Sequence, residues 1–195
     1  MKKGFTLVEL SIVLIIIGLI IGGVMKGKDL INSAEQKKIY NTWIKGWEVT
    51  SNIYRDRTGE LLGDGALNGG AVGASDGKLD NVELATTTTV QEKLKAIGLD
   101  VPVSNVVGSN GGSYSVKGKY VTSVVPMTLH WGGAAGKEKN RLYMTGLPTD
   151  VAIAFDGIAD GSLDPQTGAF MASDAATVVW PDAETTTTVD VMLEL

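Results

Sequence analysis

The chain of 195 residues contains one histidine, His130, and no cysteine, so thiolate chemistry is excluded and imidazole chemistry has a single candidate. His130 stands beside Trp131 in an apolar, strand-like segment, with no second histidine or thiolate to complete a zinc site. The parts of a nucleophile triad are missing, and no glycine-rich phosphate loop follows a strand and opens a helix. His130 is read as structural, and the sequence predicts no enzyme.

Three settings of carboxylates stand out. Asp64, Asn68, Asp76, Asp80 and Glu83 lie in or just after a Gly/Asp-rich stretch, Gly59 to Asn81, and offer the hard oxygen ligands that calcium prefers. Their spacing does not match an EF-hand loop, and Asp, Asn and Gly at these positions also build turns unaided. They are the candidate metal set, and Ca2+ is the one cofactor the sequence suggests. Asp156, Asp160 and Asp164 recur at a spacing of four and are read mainly as caps and turn formers, with calcium ligation the lesser reading. The third setting is a single residue, Glu9, inside an apolar run.

That run, from Phe5 to Met25, follows the basic leader Met1-Lys2-Lys3-Gly4. As a helix it is about 32 Å long, against about 30 Å for the hydrocarbon core of a bilayer. It is too long for a signal-peptide core and lacks a small-residue cleavage site at its end, and a plain anchor has no use for a carboxylate. A carboxylate inside a membrane helix costs about 2.5–3.5 kcal/mol at mid-depth and somewhat less near an interface, so the presence of Glu9 points to a partner charge.

No proline precedes Pro102, and the anchor is expected to continue as one helix of about 80 Å to a stop at Thr58-Gly59. Gly18, Gly22, Gly23, Gly27 and Gly46 are sites of local softness in it. Tyr40, Trp43, Ile44, Trp47 and Tyr54 recur at helical spacings and form a stripe that packs on a globular part; stacking on a ligand is the lesser reading of the two tryptophans. A short helix is expected over Val90–Leu99, ending near Gly98. From Val101 onward the pattern turns to strands, at 114–116, 120–125, 127–131 and 141–145, which predicts an antiparallel meander of three or four strands. Thr86–Thr89 and Thr185–Thr188 read as exposed strand or loop and are candidate acceptors for O-linked sugars.

The expected fold class is α+β, with a long N-terminal helix packed on an antiparallel sheet. Its segments are a leader at 1–4, a membrane-spanning helix at 5–25, an amphipathic continuation at 26–58, a loop with a short helix at 59–100, and a β-rich head at 101–195. The formal charge of −5 and pI near 4.9 make nucleic acid an unexpected partner.

Gly4-Phe5-Thr6-Leu7-Val8-Glu9 after a lysine-rich leader resembles the prepilin signal of type IV pilins and type II secretion pseudopilins. The resemblance implies cleavage between Gly4 and Phe5 by a prepilin peptidase and N-methylation of Phe5. It assigns Glu9 to pairing with the Phe5 amine of its own or a neighbouring subunit during assembly. Weaker likenesses to the family lie at Ile97-Gly98-Leu99 and over Val151–Gly168. The absence of helix-kinking prolines tilts slightly toward pseudopilins or minor pilins. The function so implied is that of a structural subunit of a type IV pilus or pilus-like filament. The alternative is a minor pilin or pseudopilin at a filament tip, acting in adhesion or type II secretion. The partners implied are further copies of the chain or related pilins, the peptidase, an assembly ATPase and a platform protein. The chain would sit in the inner membrane before assembly and in an extracellular or periplasm-spanning filament afterwards.

Overall fold

The computed structural model describes residues 4, 6–71, 73–133, 138–174 and 176–195. Contacts divide the chain into two compact units, Met1–Gln36 and Lys37–Leu195.

Helix α1 spans Leu7–Ile39 and passes through a π-helical turn, Tyr40–Ile44, into α2, Lys45–Thr58. The stop lies where expected: Gly59 takes φ 79° and its N–H donates to Arg55 O at 2.8 Å. Gly46 does not act as a soft point, because a Cβ there would stand 3.2 Å from Pro102 Cβ, so it allows close packing of the chain. The irregularity of the helix is the π turn instead, which carries Tyr40, Trp43 and Ile44 into the core.

The stripe is core. Trp43 and Trp47 have no exposed surface, and their indole N–H groups both donate to Gly111 O, at 2.9 and 2.8 Å. Gly111 is obligatory, since its φ is 77° and a Cβ would lie 2.6 Å from Pro102 O. Tyr54 OH donates to Asn68 Oδ1 at 2.9 Å and so ties the Gly/Asp-rich loop to the helix.

Helix α3 spans Thr89–Ala96, followed by Gly98 at φ 72°. Helix α4 covers Thr149–Ala159. The sheet holds six strands among the described residues, where three or four were expected: β1 Val82–Glu83, β2 Ser113–Lys117, β3 Thr122–Gly132, β4 Lys139–Pro148, β5 Phe170–Ala172 and β6 Thr188–Glu194. Every pairing is antiparallel. Strands β2, β3 and β4 form the expected meander, but β6 lies between β4 and β5.

The two strands expected at 120–125 and 127–131 are one strand, β3, which runs through Pro126. Met127 N–H donates to Gly112 O, on the side of β2. By alternation the N–H that proline lacks would face β4, whose ladder with β3 begins only at Met127↔Met144. The proline therefore costs no ladder bond.

One face of the sheet carries Val125, Met127, Leu129, Leu142, Met144, Val191 and Leu193. All are buried in one cluster with Tyr40, Trp43, Ile44, Trp47 and Phe155. The loop joins this core through Leu62 and Leu79, and α3 through Val90 and Leu94. Residues 59–100 thus share a core with the strands, and the amphipathic helix from Lys37 onward is part of that same unit. The layout is α+β, a long N-terminal helix whose second part packs on an antiparallel sheet.

Candidate functional site

Glu9 lies at the third position of α1, and Thr6 is the residue before the helix. Glu9 N–H donates to Thr6 Oγ1 at 3.2 Å, while Glu9 Oε2 accepts from Thr6 N–H at 2.9 Å and from the Thr6 hydroxyl at 2.8 Å. This is a reciprocal capping box: the carboxylate satisfies a donor that the first turn would leave unpaired. Thr6-Leu7-Val8-Glu9 has the T-x-x-E pattern of such a box, a signal present in the sequence that the partner-charge argument passed over. Glu9 is exposed, and among the described residues its side chain bonds Thr6 alone, through Oε2.

Gly4 is exposed, and no atom stands within 4 Å of where a Cβ would be. Phe5, at which cleavage, methylation and amine pairing are expected, lies outside the described residues, as do Met1–Lys3. From Leu7 to Met25 the helix exposes its large apolar residues, between 89 % at Leu7 and 46 % at Ile17. Among the described residues this is the one helix long and apolar enough to cross a membrane.

The five residues of the candidate calcium set are engaged by protein donors and acceptors, in part by one another. Asp64 is buried and its two oxygens accept Asp76 N–H and Gly77 N–H at 3.0 and 2.8 Å. Asp80 Oδ2 accepts Gly65 N–H and Ala71 N–H at 2.7 and 2.8 Å. Asn68 bonds Tyr54, Asp64 O and Ser75, Asp76 turns the chain onto Lys78 N–H, and Glu83 accepts the Thr86 hydroxyl. Among the described residues no three His, Asp or Glu side chains converge as a metal site would require.

The remaining candidates are structural in their contacts. Asp160 caps Ala169 N–H and Phe170 N–H, and Asp164 holds Gln166 N–H and the Thr167 hydroxyl. Asp156 differs, since it is fully buried in α4 and its Oδ2 accepts Trp180 Nε1–H at 2.8 Å. Burial pushes this carboxyl above the usual carboxylate range, the Trp180 bond opposes that, and the charge of Asp160 adds to it. His130 packs against the Tyr143 ring at 5.4 Å, and burial together with the Arg141 charge holds its pKa below the ordinary histidine value.

Residues 1–25 match the prokaryotic N-terminal methylation motif. That motif is the hallmark of the prepilins of type IV pilins and pseudopilins, and the chain carries it together with the α+β layout of a pilin. No curated protein and no solved structure matches the chain. The motif implies processing by a prepilin peptidase and entry into a pilus-like filament, and with the apolar helix it is consistent with an inner-membrane anchor before assembly.

Proposed function

We propose that the chain is a non-enzymatic structural subunit of a type IV pilus or pilus-like filament. Hydrolysis of the Gly4–Phe5 bond frees the Phe5 amine, which is then methylated. The amine takes over Glu9 from the Thr6 cap, within one subunit or between neighbours. Opposite charges attract strongly in a low-dielectric setting, and each is costly to leave alone there.

The observation that carries this reading is a helix with exposed apolar residues on every side and one carboxylate in its first turn, headed by the methylation motif. Once out of the bilayer, about 20 apolar residues need the helices of other subunits to cover them. Gly18, Gly22, Gly23 and Gly27 have open space where a Cβ would be, so packing within the chain gives no reason for them. Close approach of neighbouring helices does.

The second reading is a minor pilin or pseudopilin at a filament tip, serving adhesion or type II secretion. A helix that runs from Leu7 to Thr58 without proline supports it. Copy number decides between them. Quantitative mass spectrometry of sheared filaments gives one copy per helical repeat for the structural subunit and a few per filament for the minor one.

A further inference from the structure

Arg141 is on β4, whose alternation turns Leu142 and Met144 to the core and Arg141 and Tyr143 to the outer face of the sheet. A guanidinium on that face belongs in water, yet Arg141 is only 5 % exposed. Its Nη1 has the thioether of Met192 at 3.6 Å, a weak acceptor, and among the described residues its Nε has no hydrogen-bond partner.

The natural counter-ion is spoken for. Glu194 stands directly across on β6, but its two oxygens are 2.6 and 2.7 Å from Lys139 Nζ. On the other side, across from Arg141 on β3, is His130. Lys45–Glu48 and Lys139–Glu194 are the ion pairs between described residues, and Arg141 is in neither. A buried cation without an anion is costly, and the cost is relieved when a ligand supplies the anion.

Arg141 lines a half-open cavity of about 800 Å³, within the range of small-molecule sites. Met171, Met192 and Pro165 give it an apolar side, and Thr167 and Ser173 add hydroxyls. Asp174, Glu138 and the Lys139–Glu194 pair also line it, and the chain as a whole is acidic, which disfavours a dianion or polyanion. A planar, singly charged carboxylate matches the guanidinium fork. From this geometry we infer that the cavity on the outer face of β4, β6 and β5 binds a small monocarboxylate with an apolar body, its carboxylate held by Arg141. A free acid and the carboxyl end of a peptide offer the same group. The inference stands apart from the filament reading, because binding can be measured whether or not the chain is processed.

The test is titration calorimetry on the full chain in detergent micelles with N-acetyl-leucine, its neutral amide N-acetyl-leucinamide, hexanoate and inorganic phosphate. We expect the acid to bind at least tenfold tighter than the amide and than phosphate. Preference for N-acetyl-leucine over hexanoate identifies a peptide terminus as the source, and the reverse order a free acid. Arg141→Met keeps an apolar stem, removes the charge and should reduce acid binding at least tenfold without lowering the unfolding temperature. Should that variant fold poorly, the acid-to-amide ratio of the unaltered chain still decides. Equal binding of acid and amide, phosphate binding as tight as the acid, or undiminished acid binding in a folded Arg141→Met variant each overturns the inference.

Discussion

Ile17 and Trp43 lie 26 residues apart on one continuous run of helix, yet Ile17 is 46 % exposed and Trp43 not at all. Around Ile17 every side of the helix is apolar; around Trp43 a stripe of Tyr40, Ile44 and Trp47 alternates with charged positions such as Lys38, Lys45 and Glu48. A helix apolar all round has no side that prefers water, whereas a striped one has a single buried face. The second stretch finds its cover within its own chain, in the sheet and α4. The apolar side chains of the first are exposed among the described residues, and lipid or other helices are what can cover them. The same contrast holds for polar groups: Asp64 and Asp80 meet backbone N–H groups of their own loop, while Glu9 is left with one capping threonine.

The sharpest way to break the comparison is Glu9→Ala. It removes the one charge in the uncovered stretch, and the amount of chain in sheared filaments should fall at least tenfold while processed protein persists in the membrane fraction, as read by immunoblot. Undiminished assembly would mean that Glu9 serves only its capping box.

Next in size is the covered stretch. Trp43→Ala leaves a cavity in the core and removes one of the two bonds to Gly111 O, and should cost about 3–5 kcal/mol in chemical denaturation. Ile17→Ala, by contrast, should leave the unfolding of the head unchanged, because Ile17 is exposed and is no member of the buried core cluster.

A smaller effect sharpens the account of the buried carboxylates. The folded-state pKa of Asp156 is raised, so the protonated form suits the fold, and its contribution is fully present below the ordinary carboxylate pKa. It is lost as pH rises through the raised value. Asp156→Asn removes this dependence. The variant should match or exceed the unaltered chain at neutral pH, by on the order of 1 kcal/mol, and lose the advantage toward pH 4, as followed by denaturation across pH. A parallel pH profile for the two would contradict the raised value.

The smallest expected effect concerns the Gly/Asp-rich loop. A cation bound only by the folded state raises the unfolding temperature in proportion to its affinity. With Asp64 and Asp80 occupied by backbone donors, calcium and a chelator should leave the unfolding temperature the same. A calcium-dependent rise would show that the loop rearranges to bind it.

What could be read from the sequence was whatever depends on residue type over short range. The apolar run, Glu9, the helix stop at Gly59, the aromatic stripe and the stop near Gly98 are of this kind. Strands β1 and β5, of two and three residues, are too short to show alternation. Strand β6 does alternate, with Val191 and Leu193 inward, but its start lies in the Thr185–Thr188 run and hides there. The Thr6–Glu9 box was legible as T-x-x-E. The burial of Arg141 was not, because alternation alone puts it on the solvent side, and what covers it comes from strands distant in sequence. Trp180 meeting Asp156, at a separation of 24 residues, was hidden for the same reason.

Intact mass and N-terminal sequencing of the chain from sheared filaments and from membranes test the central claim most directly. The account predicts filament protein that begins at N-methylated Phe5 and lacks Met1–Gly4. An uncleaved chain starting at Met1 and confined to membranes would contradict it.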